Sequence, residues 1–318
     1  MSEKIKVVEL NEDIRGDKVT ADLQGAYKSV YFNDTKEMGE ALNKVSPSFC
    51  LAKWFNVSVH IPTGRTHSCY HPPTHKVPLD ELAADPGALH NTKHKKQQRA
   101  MMLRGERPKE CSFCWDIEDT GNISDRPYRS FDVNQEGIIA EALEHGHTGN
   151  PKPKYMEVNF NQACNFKCTY CSPHLSTEWH KEIRKHGAYK LPTGNHNDTS
   201  WMERDGMMPD NRPDNPYLTA FWEYFPECYP ELQTFRMTGG EPMMDHNTYK
   251  VFQYVIDHPK DDLHLNITSN MCPPDPKLKQ KYFNMLQTIC LQEKVEHVMQ
   301  FVSVDTWGKQ AEYIRNGL

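Results

Sequence analysis

Two short stretches, 155–160 and 263–268, alternate apolar and polar residues with the period of two expected of half-buried strands, and 232–237 and 298–304 read as strands as well. Helical spacing marks 177–186, 217–229, 247–257 and 276–291 between them, and a short helical stretch follows at 309–316. Strand and helix thus take turns from residue 155 onward, the order of an α/β fold with a parallel sheet. Upstream, Val57, Val59 and Ile61 alternate ahead of the turn signal Pro62-Thr63-Gly64-Arg65, which predicts a β-hairpin. Asn91 or Thr92 can cap a basic helix that ends near Leu103 with Gly105 as its stop, and 135–144 reads as another short helix. Residues 1–46 hold no periodic signal strong enough to place and form an unassigned N-terminal extension. The expected order after it is a cysteine-bearing domain over 47–129, a helix and linker over 130–154, and a core over 155–318.

Cysteine spacing gives this pattern a chemistry. The octet Cys164-Asn165-Phe166-Lys167-Cys168-Thr169-Tyr170-Cys171 sits where the first core strand ends. Three thiolates at C-x3-C-x2-C can hold three irons of a four-iron cubane and leave the fourth open to a substrate, which points to an enzyme. The second strand runs into Thr238-Gly239-Gly240-Glu241-Pro242, where two glycines let backbone approach a ligand and a carboxylate can accept from an ammonium group. The third strand ends at Ser269-Asn270 and the fourth at Asp305. Before the core, the hairpin would bring Cys50 and Cys69 together, and Cys111-Ser112-Phe113-Cys114 supplies two more thiols. Four cysteines so arranged suit an iron–sulfur cluster or a four-cysteine zinc site.

Together these motifs resemble the radical S-adenosylmethionine superfamily, with Tyr170 in the aromatic slot of its cysteine signature and Gly239, Gly240 and Glu241 in its GGE loop. The resemblance implies a partial (β/α) barrel of the radical SAM type, with about four of six units present. It implies a [4Fe–4S] cluster with an open iron site on Cys164, Cys168 and Cys171, and S-adenosylmethionine bound near Glu241, Ser269, Asn270 and Asp305. The set Cys50, Cys69, Cys111 and Cys114, with Gly64 five residues before Cys69, is similar to the twitch domain, a shortened SPASM domain with one auxiliary [4Fe–4S] cluster. That small α+β cluster domain usually follows the core, and here it precedes it. The implied activity is reductive cleavage of S-adenosylmethionine to a 5′-deoxyadenosyl radical that abstracts hydrogen, oxidising or cross-linking a peptide, protein or small-molecule substrate. An external one-electron donor of flavodoxin or ferredoxin type would serve as partner. A radical transferase acting on RNA and a non-catalytic zinc-binding module are the competing readings. No catalytic residue is assigned. With four core units in place of six, the expectation is a missing C-terminal segment, or a second polypeptide that supplies it.

Composition narrows the class further. Net charge is −6, which argues against a general nucleic-acid surface, and no stretch reaches the roughly 18 apolar residues of a membrane span. Ten cysteines in C-x2-C groupings without a leader read as metal ligands in a reducing, cytoplasmic setting. Other residues invite plainer readings. His67 and His71 are taken as polar neighbours of Cys69, and Cys228, Cys272 and Cys290 as buried small apolar groups. The basic set Lys93, Lys95, Lys96, Arg99, Arg104, Arg107 and Lys109 is read as a solvated face before a phosphate grip. The long loop 187–216 carries Trp201, Met202, Met207 and Met208, the apolar tips of a substrate-facing lid or of a mobile insertion.

Overall fold

The computed structural model describes residues 17–189 and 198–317. The chain divides into two compact units, residues 1–58 with 66–155 and residues 59–65 with 156–318.

In the first unit, helix α1 (Asp17–Tyr27) is followed by α2 (Thr35–Val45), which no sequence expectation covered. Its signals are nonetheless present. Asp34 accepts from the backbone N–H of Lys36 and Glu37, and Glu37 reaches back to the N–H of Asn33 at 2.9 Å. Met38, Ala41, Leu42 and Val45, spaced three, four and seven residues from the first, form the buried face. They join Phe49, Trp54, Phe55, Met102, Trp115, Ile138 and Leu143 in one apolar core, against which Cys50, Cys111 and Cys114 pack. Helix α3 (Lys93–Leu103) starts on Thr92 and gives way to Gly105 in left-handed geometry, as expected, and α4 spans Ile138–His145.

The hairpin forms from β1 (Asn56–His60) and β2 (Arg65–His67). Its corner needs Gly64: φ is +59°, and a Cβ there would fall 2.1 Å from the ring of Tyr217.

The second unit is α/β with a mostly parallel sheet. Strand β3 (Tyr155–Asn159) leads into the cysteine loop, where β4 (Lys167–Cys168) is a two-residue strand. Helix α5 (Thr177–His186) and α6 (Pro216–Cys228) precede β5 (Thr234–Thr238). Then come α7 (His246–Asp257), β6 (Lys260–Ser269), α8 (Pro276–Leu291), β7 (Val295–Val302), α9 (Lys309–Ile314) and β8 (Arg315–Asn316). The strand order is β3-β5-β6-β7, with β5, β6 and β7 parallel. Phe235, Met237, Leu263, Leu265 and Ile267 are buried while the residues between them are not, which is the period the sequence displayed. Phe221 and Phe225 of α6 pack against Phe235, with ring centroids 6.4 and 5.0 Å away. No helix among the described residues is long and apolar enough to cross a membrane.

Candidate metal and cofactor sites

The cysteine loop is held at both ends by hydrogen bonds that its sequence supplies. Thr177, the first residue of α5, accepts from the Cys164 N–H at 3.2 Å and donates to the Cys164 carbonyl at 3.0 Å. Ser176 donates to Phe166 O at 2.6 Å, and the Trp179 indole donates to Cys168 O at 2.8 Å. Antiparallel pairing of β4 with β8 sets Cys168 opposite Arg315 and Lys167 opposite Asn316. The guanidinium of Arg315 donates to Cys168 Sγ at 3.5 Å, and its Nε lies 2.5 Å from Asp305 Oδ2. That carboxylate also accepts from Tyr170 OH at 3.1 Å. Asp305, expected to meet cofactor, therefore holds the two residues that clasp the loop.

Cys164, Cys168 and Cys171 line a cavity of about 190 Å³ with Gly239, Gly240, Glu241, Ser269 and Asn270. These residues come from the C-terminal ends of β3, β5 and β6, so the structure gathers the expected set. Burial pushes the Cys164 thiol up to about 11 and raises Cys168 and Cys171 as well. Soft donors in such a place ionise when a metal takes the proton's position. Three thiols on one cavity are the donor set of a cluster with one iron left free, so the residues fit that group.

The glycines, which line the cavity, also fit the loop against its own chain. A Cβ on Gly239 would lie 2.0 Å from Asn159 Oδ1, and one on Gly240 would lie 2.3 Å from Ala163 O. Close packing of the loop on its own chain requires them, sealed by Gly240 N–H to Asn161 O at 3.1 Å and Glu241 N–H to Ala163 O at 2.6 Å. Glu241 is buried, and its carboxylate accepts from Ser269 Oγ at 2.6 Å, Asn270 N at 2.7 Å and Met243 N at 2.9 Å. Burial raises its pKa, and those three donors work in the opposite direction. A carboxylate has about four lone-pair sites, so one remains for a ligand donor.

In the first unit, Cys50, Cys69, Cys111 and Cys114 line one tight cavity of about 20 Å³ with Lys53, Arg126 and Arg129. Burial, reinforced by the neighbouring thiols, pushes Cys69 up to about 12 and Cys111 and Cys114 up to about 11. Among the described residues, only His264, Glu296 and His297 bring three ligand atoms within 4.8 Å of one another. Four thiols on one cavity are a donor set that suits an iron–sulfur cluster or a zinc ion.

His71 lines this cavity, with its Nε2 on Asp125 at 2.8 Å and its ring stacked on Phe113 at 3.7 Å. His67 is held down to about 4 by burial. Lys53, which sequence reasoning passed over, is buried and paired with Glu110. Its position three residues after Cys50 was the available signal.

Three expectations need correction. Cys272 and Cys290 are exposed, and of the three cysteines outside the two sets only Cys228 is buried. The basic helix is not simply a solvated face. Lys95 donates to Asn56 O at 2.7 Å, and Arg99 to Lys53 O at 2.8 Å and Asn91 Oδ1 at 2.8 Å, both fully buried. Met202 is buried and not an apolar tip, while Trp201 stands edge-on to His174 at 5.5 Å. Residues 190–197 of the proposed lid lie outside the described residues.

No protein-family model matches the chain, and no solved structure does. The chain is similar to GTP 3′,8-cyclase of Campylobacter lari, 26% identical over 120 residues, a span covering 36% of this chain and 27% of that protein.

Proposed function

We propose that the chain is a radical S-adenosylmethionine enzyme whose barrel-type core binds a four-iron cluster through Cys164, Cys168 and Cys171. The observation that carries this reading is the convergence of those three thiols with Glu241, Ser269 and Asn270 on one cavity at the strand ends. The similarity to GTP 3′,8-cyclase supports the superfamily. When bound, the cluster supplies one electron for cleavage of S-adenosylmethionine to methionine and a 5′-deoxyadenosyl radical.

The protein's own residues do the rest. Glu241 offers its remaining lone pair to the cofactor's ammonium group, and Ser269 and Asn270 line the cavity beside it. Tyr170, Asp305 and Arg315 keep the loop in register. Trp201, whose indole N–H is buried without an acceptor among the described residues, faces the residues after the octet and is the candidate substrate contact.

The four-thiol cavity is read as the seat of an auxiliary cluster in a twitch-like domain, a reading that the three-thiol set of the core favours over zinc. It suits a net oxidation or cross-link of a peptide or small molecule. The relative's name adds a nucleotide, GTP, to the substrates worth testing. Of the basic residues on which the RNA-modifying alternative rests, Lys95 and Arg99 are buried in the fold, while Lys93, Arg104, Arg107 and Lys109 remain exposed.

The test is anaerobic reconstitution with iron and sulfide, then dithionite and S-adenosylmethionine, with 5′-deoxyadenosine as readout. Production that disappears when Cys164, Cys168 and Cys171 are changed to Ala supports the assignment. Absence of product from iron-loaded protein overturns it.

A further inference from the structure

The trio that does approach single-ion spacing lies at the other end of the sheet. His264 of β6 stands opposite His297 of β7 in register, with ring centroids 5.1 Å apart. Glu296 sits between them, Oε2 at 3.0 Å from His264 Nε2 and Oε1 at 3.8 Å from His297 Nε2. Neighbouring residues on a strand normally point to opposite faces, so Glu296 and His297 should not share a focus. The ladder is irregular at this point, and the extra residues are on β6. Lys260 pairs with Val295 and His264 with His297, so residues 261–263 of β6 face Glu296 alone. Such a bulge re-aims side chains, and bulges gather beside sites.

We infer that His264, Glu296 and His297 bind one divalent cation of the zinc, cobalt or nickel class. Two neutral imidazoles and a carboxylate are the donor set that such borderline ions prefer, and three ligands leave further positions for water. The ligand atoms lie within 4.8 Å of one another, and bonding at 2.0–2.1 Å needs about 3.4 Å, a closure that partly exposed side chains reach by small torsions. An ordinary surface ion pair would need only one histidine; the second is what the ion accounts for. The site lies five residues from Ser269, roughly 16 Å along the strand, so it is independent of the thiol cavity and of the function proposed above. A bound ion would staple the start of β7 to β6.

The test uses protein with its clusters reconstituted, in a Cys272→Ser/Cys290→Ser background so that exposed thiols do not compete. Titration with cobalt(II) should give one equivalent with d–d absorption and no sulfur-to-cobalt charge transfer. His264→Gln/His297→Gln should weaken that binding by about tenfold or more. The single exchange Glu296→Gln, at an exposed position, should weaken it too, and zinc should raise the thermal midpoint of the parent and not of either variant. Unchanged cobalt binding in both variants, or absorption due solely to cobalt–thiolate species, would overturn the inference.

Discussion

Arg315 places its guanidinium 3.5 Å from the sulfur of Cys168 while its Nε lies 2.5 Å from the Asp305 carboxylate. A cation donating to a cluster ligand favours the more reduced state of whatever that thiolate holds. Arg315→Met should therefore keep its iron, lower the midpoint potential of the cluster on the octet, and slow 5′-deoxyadenosine formation with a weak reductant more than with dithionite. Potentiometric titration followed by EPR reads this, and coincident potentials in parent and variant would rule out an electronic role.

Iron content separates the two cysteine sets. Reconstituted protein should hold about eight irons, and Cys164, Cys168 and Cys171 changed together to Ala should leave about half. Stoichiometric zinc on Cys50, Cys69, Cys111 and Cys114 after iron-replete anaerobic expression would discard the auxiliary cluster and spare the core.

Glu241→Ala should weaken S-adenosylmethionine binding by about 1.5 to 3 kcal/mol and also lower stability, because Ser269 Oγ and Asn270 N lose their acceptor. Glu241→Gln keeps an acceptor and should recover more of the stability than of the affinity. Calorimetric titration beside a thermal melt checks both, and equal affinity in all three proteins would mean the loop does not meet the ligand.

Arg99→Met leaves Lys53 O and Asn91 Oδ1 without their donor inside the first unit, and should cost about 3 kcal/mol. Denaturant unfolding measures the loss. Salt-dependent RNA binding that weakened in proportion to Arg99 removal, with stability intact, would instead revive the phosphate-grip reading.

His75 is half-buried, its Nε2 sits 2.8 Å from Thr92 Oγ1, and desolvation holds its pKa down to about 3 from an ordinary 6.5. Its unfolded form takes up a proton first, so its contribution is intact above pH 6.5 and drains away as pH falls toward 3. The loss approaches about 1.4 kcal/mol per pH unit in that window. His75→Gln should flatten the pH dependence of unfolding between pH 6.5 and 5, and parallel profiles would show that other groups set it.

Where local rules suffice, the chain could be read directly. Helices α5 and α8 begin and end where Ser176 and Asp275 cap them and where periodicity stops. Strand ends carrying Gly239, Ser269 and the octet were legible because turn chemistry and alternation agree there. Helix α2 was missed although Asp34 and Glu37 announce it, since Gly39 and neighbouring polar residues dilute an eleven-residue stripe. Burial of Lys95 and Arg99 was not legible, because their acceptors are backbone carbonyls distant in sequence. The same holds for the close packing of Gly239 on Asn159, eighty residues earlier.

Glu241 accepts at once from Met243 on its own loop and from Ser269 and Asn270 at the end of β6. The two strand ends are thereby welded into a single rim that cannot part without stripping a buried carboxylate of its donors. Any widening of the cavity to admit a ligand must come from the opposite lip, where the octet hangs between Thr177 and the short ladder to Arg315. Entry would then be paced by how fast the β4–β8 ladder frays, and a substitution as remote as Asn316 could set the rate of ligand arrival while leaving affinity untouched.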